Sequence, residues 1–106
     1  MLRVAFARIK PEKEQKLRAW LAQLMTRKDE VRETFLQEGM HQEKAYILPT
    51  ADGPVLVYVM DAEDFNRVNT AYESSTLSID AEHRAMLAEC LGDPIRLAPL
   101  YDCSVA

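Results

Sequence analysis

Few side chains in this 106-residue chain could do chemistry. It has two histidines. His83, in "SIDAEHRAML", lies at helical spacing with Met86, Leu87 and Cys90, on a stripe that should face a core. His41 stands two residues before Glu43 in "MHQEKAYIL", so in an extended segment both point to one face. A carboxylate turned toward a core either pairs or stays neutral through a raised pKa. His83 is its natural partner, and a Glu–His pair in a partly closed cavity can move a proton near neutral pH. Glu43 and His83 are therefore the candidate catalytic pair. The plainer alternative leaves His83 half exposed in a first helical turn and Glu43 in water near a strand end.

His41, Glu43 and His83 could also form a two-histidine, one-carboxylate metal set. No HExxH-type motif supports this, and His41 reads more simply as a cross-strand partner of Asp61. No metal and no cofactor are expected. His41, Trp20 and Tyr58 are candidate lining residues of a ligand pocket. The Trp20 stripe also reads as core, and Tyr46, Tyr58 and Tyr101 as interface filling.

These residues need elements to hold them. "LRVAFARI" (2–9) is a strand, apolar on both parities and hence central. Pro11 opens a helix whose stripe is Leu17, Trp20, Leu21, Leu24 and Met25, continued by Val31 and Phe35. Gly39 can end it in a left-handed conformation. From 11 to 38 a straight helix would reach about 42 Å, against about 30 Å for the strand. It must kink near Thr26–Asp29 or overhang the sheet.

Segments 40–48 and 54–61 read as a hairpin around "PTADG". A loop centred on Ala51 sets Ile47 opposite Val55, Ala45 opposite Val57, Glu43 opposite Val59 and His41 opposite Asp61. In that register the valine face meets the helices, and Lys44, Tyr46, Leu56, Tyr58 and Met60 lie on the open face. Asp61 is an N-cap candidate for a short helix to about Ser74. A second helix runs from about Asp80 to Leu91 and stops at "GDP". "IRLAPLYDC" (95–103) is the last strand, with Pro99 arguing for an edge position. The order βαββααβ describes one α+β domain over 1–106: a ferredoxin-like fold, a four-stranded antiparallel sheet with helices on one face.

Composition narrows the function classes. The chain is 48% apolar, enough for one core. Its net charge is −4, with bases interspersed among acids as in "RKDEVRE", which argues against nucleic acid. "VLVYVMDA" lacks the glycines, basic lead and paired aromatics of an RNA-binding strand. No apolar run could span a membrane. "MLRVAFARIK" has no signal-peptide pattern, so a cytoplasmic location is expected. Cys90 and Cys103 make neither a disulfide framework nor a CxxC motif. Phosphate-cradling loops and nucleophile elbows are missing too.

Order, length and the segments "EGMHQEKAYIL", "VLVYVMDAED" and "IDAEHRAMLAEC" together resemble the dimeric α/β-barrel superfamily of ferredoxin-like proteins, and within it a small family of unknown function. The resemblance implies a homodimer and a pocket between sheet and helices. Superfamily members include cofactor-free monooxygenases, haem-degrading enzymes, mutarotases and lactone isomerases, so the fold names no reaction. The open, tyrosine-bearing sheet face independently favours a homodimer packed sheet to sheet. Three functional classes are carried forward. One is a protein with a small-molecule or proton-transfer site at Glu43 and His83, taking a small organic ligand. Another is a non-catalytic dimeric module. The third is a cofactor-independent monooxygenase- or isomerase-like enzyme.

Overall fold

Branched and aromatic residues make β1, Leu2–Ile9, the inner strand expected from its two-sided apolarity. In the computed structural model, which describes residues 1–105, a 3-10 turn at Pro11–Lys13 leads into α1 (Glu14–Met25) and α2 (Lys28–Glu38). Then come β2 (Met40–Thr50), β3 (Gly53–Ala62), α3 (Phe65–Ser74), α4 (Ser78–Cys90) and β4 (Leu91–Ile95). The strands form one antiparallel sheet in the order β2-β3-β1-β4. Helices pack on one face of it. This is an α+β arrangement compatible with the ferredoxin-like fold, and the sheet is open rather than a closed barrel.

The long helical stretch takes the kinked alternative. It breaks at Thr26–Arg27, where both backbone N–H groups turn back to Gln23 and Leu24 carbonyls at 3.0 Å. Thr26 Oγ1 donates to the Gln23 carbonyl as well, at 2.7 Å. Arg27 then clamps the corner, donating to Glu30 at 2.7 and 2.9 Å and to Glu82 of α4 at 2.7 Å. Gly39 ends α2 with φ +70°. A Cβ there would sit 2.9 Å from the Arg67 guanidinium, which donates to the exposed Leu36 and Gln37 carbonyls at 3.2 Å.

The hairpin register differs from the sequence expectation by one residue. The turn is two residues, Ala51–Asp52, between the paired Thr50 and Gly53. Thr50 holds it, donating from Oγ1 to the Gly53 carbonyl at 2.6 Å and accepting from Asp52 N at 3.2 Å; Gly53 takes φ +110°. Ile47 therefore faces Leu56, Ala45 faces Tyr58 and Glu43 faces Met60. A slip of one exchanges the faces of a strand. Leu56, Tyr58 and Met60 turn toward the helices, and the valines 55, 57 and 59 turn outward with Lys44 and Tyr46. Nor does His41 pair with Asp61 in the ladder. It is the extra residue of a bulge between the Met40–Ala62 and Gln42–Asp61 pairs, and this bulge brings Met40 and Glu43 to the same face.

Three further boundaries move. Strand β3 continues to Ala62, so Asp64 rather than Asp61 caps α3, accepting from Asn66 N at 2.9 Å. Helix α4 starts at Ser78. Its end passes straight into β4, so "GDP" lies inside the last strand, not before it. The edge argument holds, but for Pro94, which pairs with Ala7 at the sheet margin. Pro99 lies beyond the strand.

Two apolar clusters join the layers. One holds Ile9, Leu17, Trp20, Leu56, Ile79 and Cys90; the other holds Met40, Ala62, Phe65 and Val68. The far face of the sheet stays open, with Leu2 74%, Val4 45%, Tyr46 53% and Leu48 50% exposed. No helix among the described residues is long and apolar enough to cross a membrane.

Candidate functional site

Between the two apolar clusters lies a cavity of about 190 Å³. Members of both clusters line it (Met40 and Val68 from one, Ile79 from the other), together with Leu24, Phe35, Met60 and Leu87. Its polar lining comes from both layers: Thr34 and Glu38 from α2, Glu43 from β2, Tyr58 from β3, Asn69 and Tyr72 from α3, and Asp80 and His83 from α4.

The position of His83 on an apolar stripe is explained by what surrounds it. Its ring stacks at 6.0 Å on Trp20 and meets the edges of Tyr58 and Tyr72 at 6.3 and 6.1 Å. Trp20 Nε1–H donates to His83 Nδ1 at 2.8 Å. Indole nitrogen can only donate, so Nδ1 carries no proton and the neutral ring bears its proton on Nε2. That nitrogen lies 3.3 Å from Tyr58 Oη. The chain of donors then runs Trp20 to His83 to Tyr58, and leaves the phenol proton of Tyr58 free to point elsewhere. Burial pushes the His83 pKa down to about 4, with the Asp80 charge opposing.

The acids move the other way. Glu43 is pushed up to about 7 by burial, with the Asp80 carboxylate adding to it. Glu38, 7% exposed, also rises to about 7 through burial, Asp80 and Glu43. Burial and neighbouring acids hold the Tyr58 and Tyr72 phenols protonated. Asp80 is 5% exposed, and its Oδ2 is buried without a hydrogen-bond partner, as is the Tyr72 hydroxyl.

Of the residues singled out from the sequence, Glu43, Tyr58 and His83 meet at this cavity. The imidazole nitrogens are engaged by Trp20 and Tyr58, not by Glu43. Trp20 stands behind His83 rather than in the wall. His41 is apart from the inner cavity. Its side chain is 52% exposed, with Nε2 3.4 Å from Glu63 and Nδ1 3.9 Å from Asp61. It borders a wider outer groove along β2, which shares Leu24, Val31, Phe35, Glu43 and Tyr58 with the cavity. Among the described residues no group of three or more His, Cys, Asp or Glu side chains could hold a metal ion.

Sequence reasoning passed over Glu38, Tyr72 and Asp80. A signal existed for each. Asp80 is three residues before His83 and seven before Leu87, on the same helical face. Glu38 follows Phe35 by three and Val31 by seven. Both acids sit near helix ends, where a capping or dipole role is the usual explanation. Tyr72 continues the Phe65–Val68 stripe and reads as core.

The match to known proteins is broad in extent and sparse in content. A family of unknown function, DUF6176, matches residues 2–103. The chain belongs to this family. No curated protein matches it. A solved structure, "Structure of Rv0793 from Mycobacterium tuberculosis", is similar with a TM-score of 0.56 and 24% identity over 97% of each chain. That likeness concerns the fold.

Proposed function

We propose that the cavity binds a small organic molecule, and that Glu43 exchanges a proton with it near neutral pH while Tyr58 donates a hydrogen bond. The single observation behind this reading is that Glu43 and Tyr58 share one cavity wall and that Trp20 and His83 fix the direction of the Tyr58 phenol. In this reading His83 is a positioning residue. Its acceptor nitrogen is taken by the indole, so the base is the carboxylate of Glu43. A carboxyl group poised near 7 is suited to give and take a proton at physiological pH. A carbon-13 NMR titration of the Glu43 carboxyl should give a midpoint near 7, displaced when a small organic molecule occupies the cavity. A midpoint below 5 would refute the proton-exchange role.

The same reading places the chain in the dimeric α/β-barrel superfamily and in the cytoplasm, as a homodimer joined through the open sheet face. Support comes from the outward Leu2, Val4, Tyr46 and Leu48, beside the half-buried Val57 and Val59 of β3. Exposed apolar patches of this kind mark interaction sites. Sedimentation at micromolar concentration should give a dimer, and Val4→Asp should give a folded monomer. A wild-type monomer would remove the assembly.

A further inference from the structure

The cavity has an uneven charge inventory. Three acids contribute to its wall, Glu38, Glu43 and Asp80, and among the described residues no Lys or Arg does. The cation nearest in sequence to His83, Arg84, is committed elsewhere: it donates to the Tyr72 and Ser75 carbonyls at 2.6 and 3.4 Å. Lys28, Arg32 and Lys44 border the outer groove and not the cavity. The imidazole that faces the acids is neutral, since Trp20 donates to it. No positive side chain within the cavity thus balances the three carboxyl groups.

Two further features point to what would. Asp80 is 5% exposed and yet its Oδ2 has no donor, a costly state for a buried acceptor. Apart from Thr34, Asn69 and His83, all uncharged, the remaining wall is aromatic and aliphatic, with Phe35, Tyr58 and Tyr72 presenting rings, and ring faces attract ammonium groups. Phosphates and carboxylates would meet like charge here.

We propose that the ligand of this cavity is a compact organic cation, an amine carried as ammonium, whose N–H groups are received by Asp80 and Glu43 and whose apolar body lies among Phe35, Met60 and Leu87. This rests on the small-molecule reading of the same cavity. A cavity near 190 Å³ limits the body to about one aromatic ring or its aliphatic equivalent, since an apolar cavity of about 150 Å³ takes up benzene.

The test uses three probes of similar shape and different charge: benzylamine, benzyl alcohol and benzoate. Trp20 is the only tryptophan and its indole is bonded to His83 of the cavity wall, so its fluorescence at pH 8 reports occupancy through that ring. Benzylamine should bind at least about tenfold more tightly than benzyl alcohol, the advantage of a charge-assisted over a neutral hydrogen bond, and benzoate more weakly than either. Asp80→Asn should erase the benzylamine advantage while leaving benzyl alcohol binding in place, which also verifies that the variant is folded. Glu43→Gln provides the same comparison should Asp80→Asn fail to fold. Equal binding of benzylamine and benzyl alcohol, or tighter binding of benzoate, would overturn the cation and leave the small-molecule cavity standing. Binding of none of the three would remove both.

Discussion

Glu43→Gln should stabilise the protein by about 2 kcal/mol at pH 8 and change it little at pH 5. The glutamate carboxyl rises from 4.5 to about 7 on folding. Between those values the folded chain holds a proton that the unfolded chain has released. Raising the pH through this window therefore favours unfolding, and above about 7 the folded state carries the full cost of a partly buried carboxylate beside Asp80. Glutamine keeps the shape and never ionises. Glu38 has the same sign and window. His83 has the opposite one: its pKa falls from 6.5 to about 4 on folding, so its contribution is complete above 6.5 and is lost as the pH drops toward 4. Two acids outweigh one imidazole, and the wild-type protein should be less stable at pH 8 than at pH 5 by roughly 3 kcal/mol. Urea unfolding of both proteins at the two pH values measures this. A glutamine variant destabilised at pH 8 would show that Glu43 has a cationic or donor partner in the folded state.

Trp20→Phe should cost about 1–3 kcal/mol, beyond what the smaller ring loses in packing, because a buried acceptor loses its donor. In the wild type the indole holds Nδ1 of His83 unprotonated at 2.8 Å. Without it the proton can occupy either nitrogen, and the bond to Tyr58 at 3.3 Å loses its fixed direction. Nitrogen-15 NMR of the imidazole should report the Nε2–H form alone in the wild type and a mixture in the variant. A wild-type ring protonated at Nδ1, or doubly protonated at pH 7, would refute the donor chain. The experiment separates positioning from bulk, since phenylalanine retains an aromatic ring beside His83.

Much of this arrangement could be read from residue order, and the misreadings share one cause. Periodicity in 17–35 and 65–90 located the helical layer, and Gly39 marked the end of α2 because the chain there takes a left-handed conformation. Glu43 and His83 reached a common cavity because each stood out as a polar group on an inward parity. The register of the hairpin did not follow from pattern alone. Both faces of β3 are apolar, valines on one side and Leu56, Tyr58 and Met60 on the other, so neither parity announces itself as inward. The two-residue turn held by Thr50 decides it. Once it does, Tyr58 leaves the open face and becomes part of the cavity. The last strand was misplaced for a similar reason, since "GDP" normally stops a helix and here also supplies an edge.

The break at Thr26–Arg27 carries a consequence for how this architecture diversifies. Helix α2 contributes Val31, Phe35 and Glu38 to the cavity, yet it is joined to α1 by two non-helical residues and fixed at that corner by one guanidinium fork. That corner sets the angle at which α2 crosses the sheet, while Arg67 ties its far end to α3. Lengthening the joint, or exchanging Arg27, would change the width of the cavity while leaving the strand pairs in register, so a single corner governs the room between the layers.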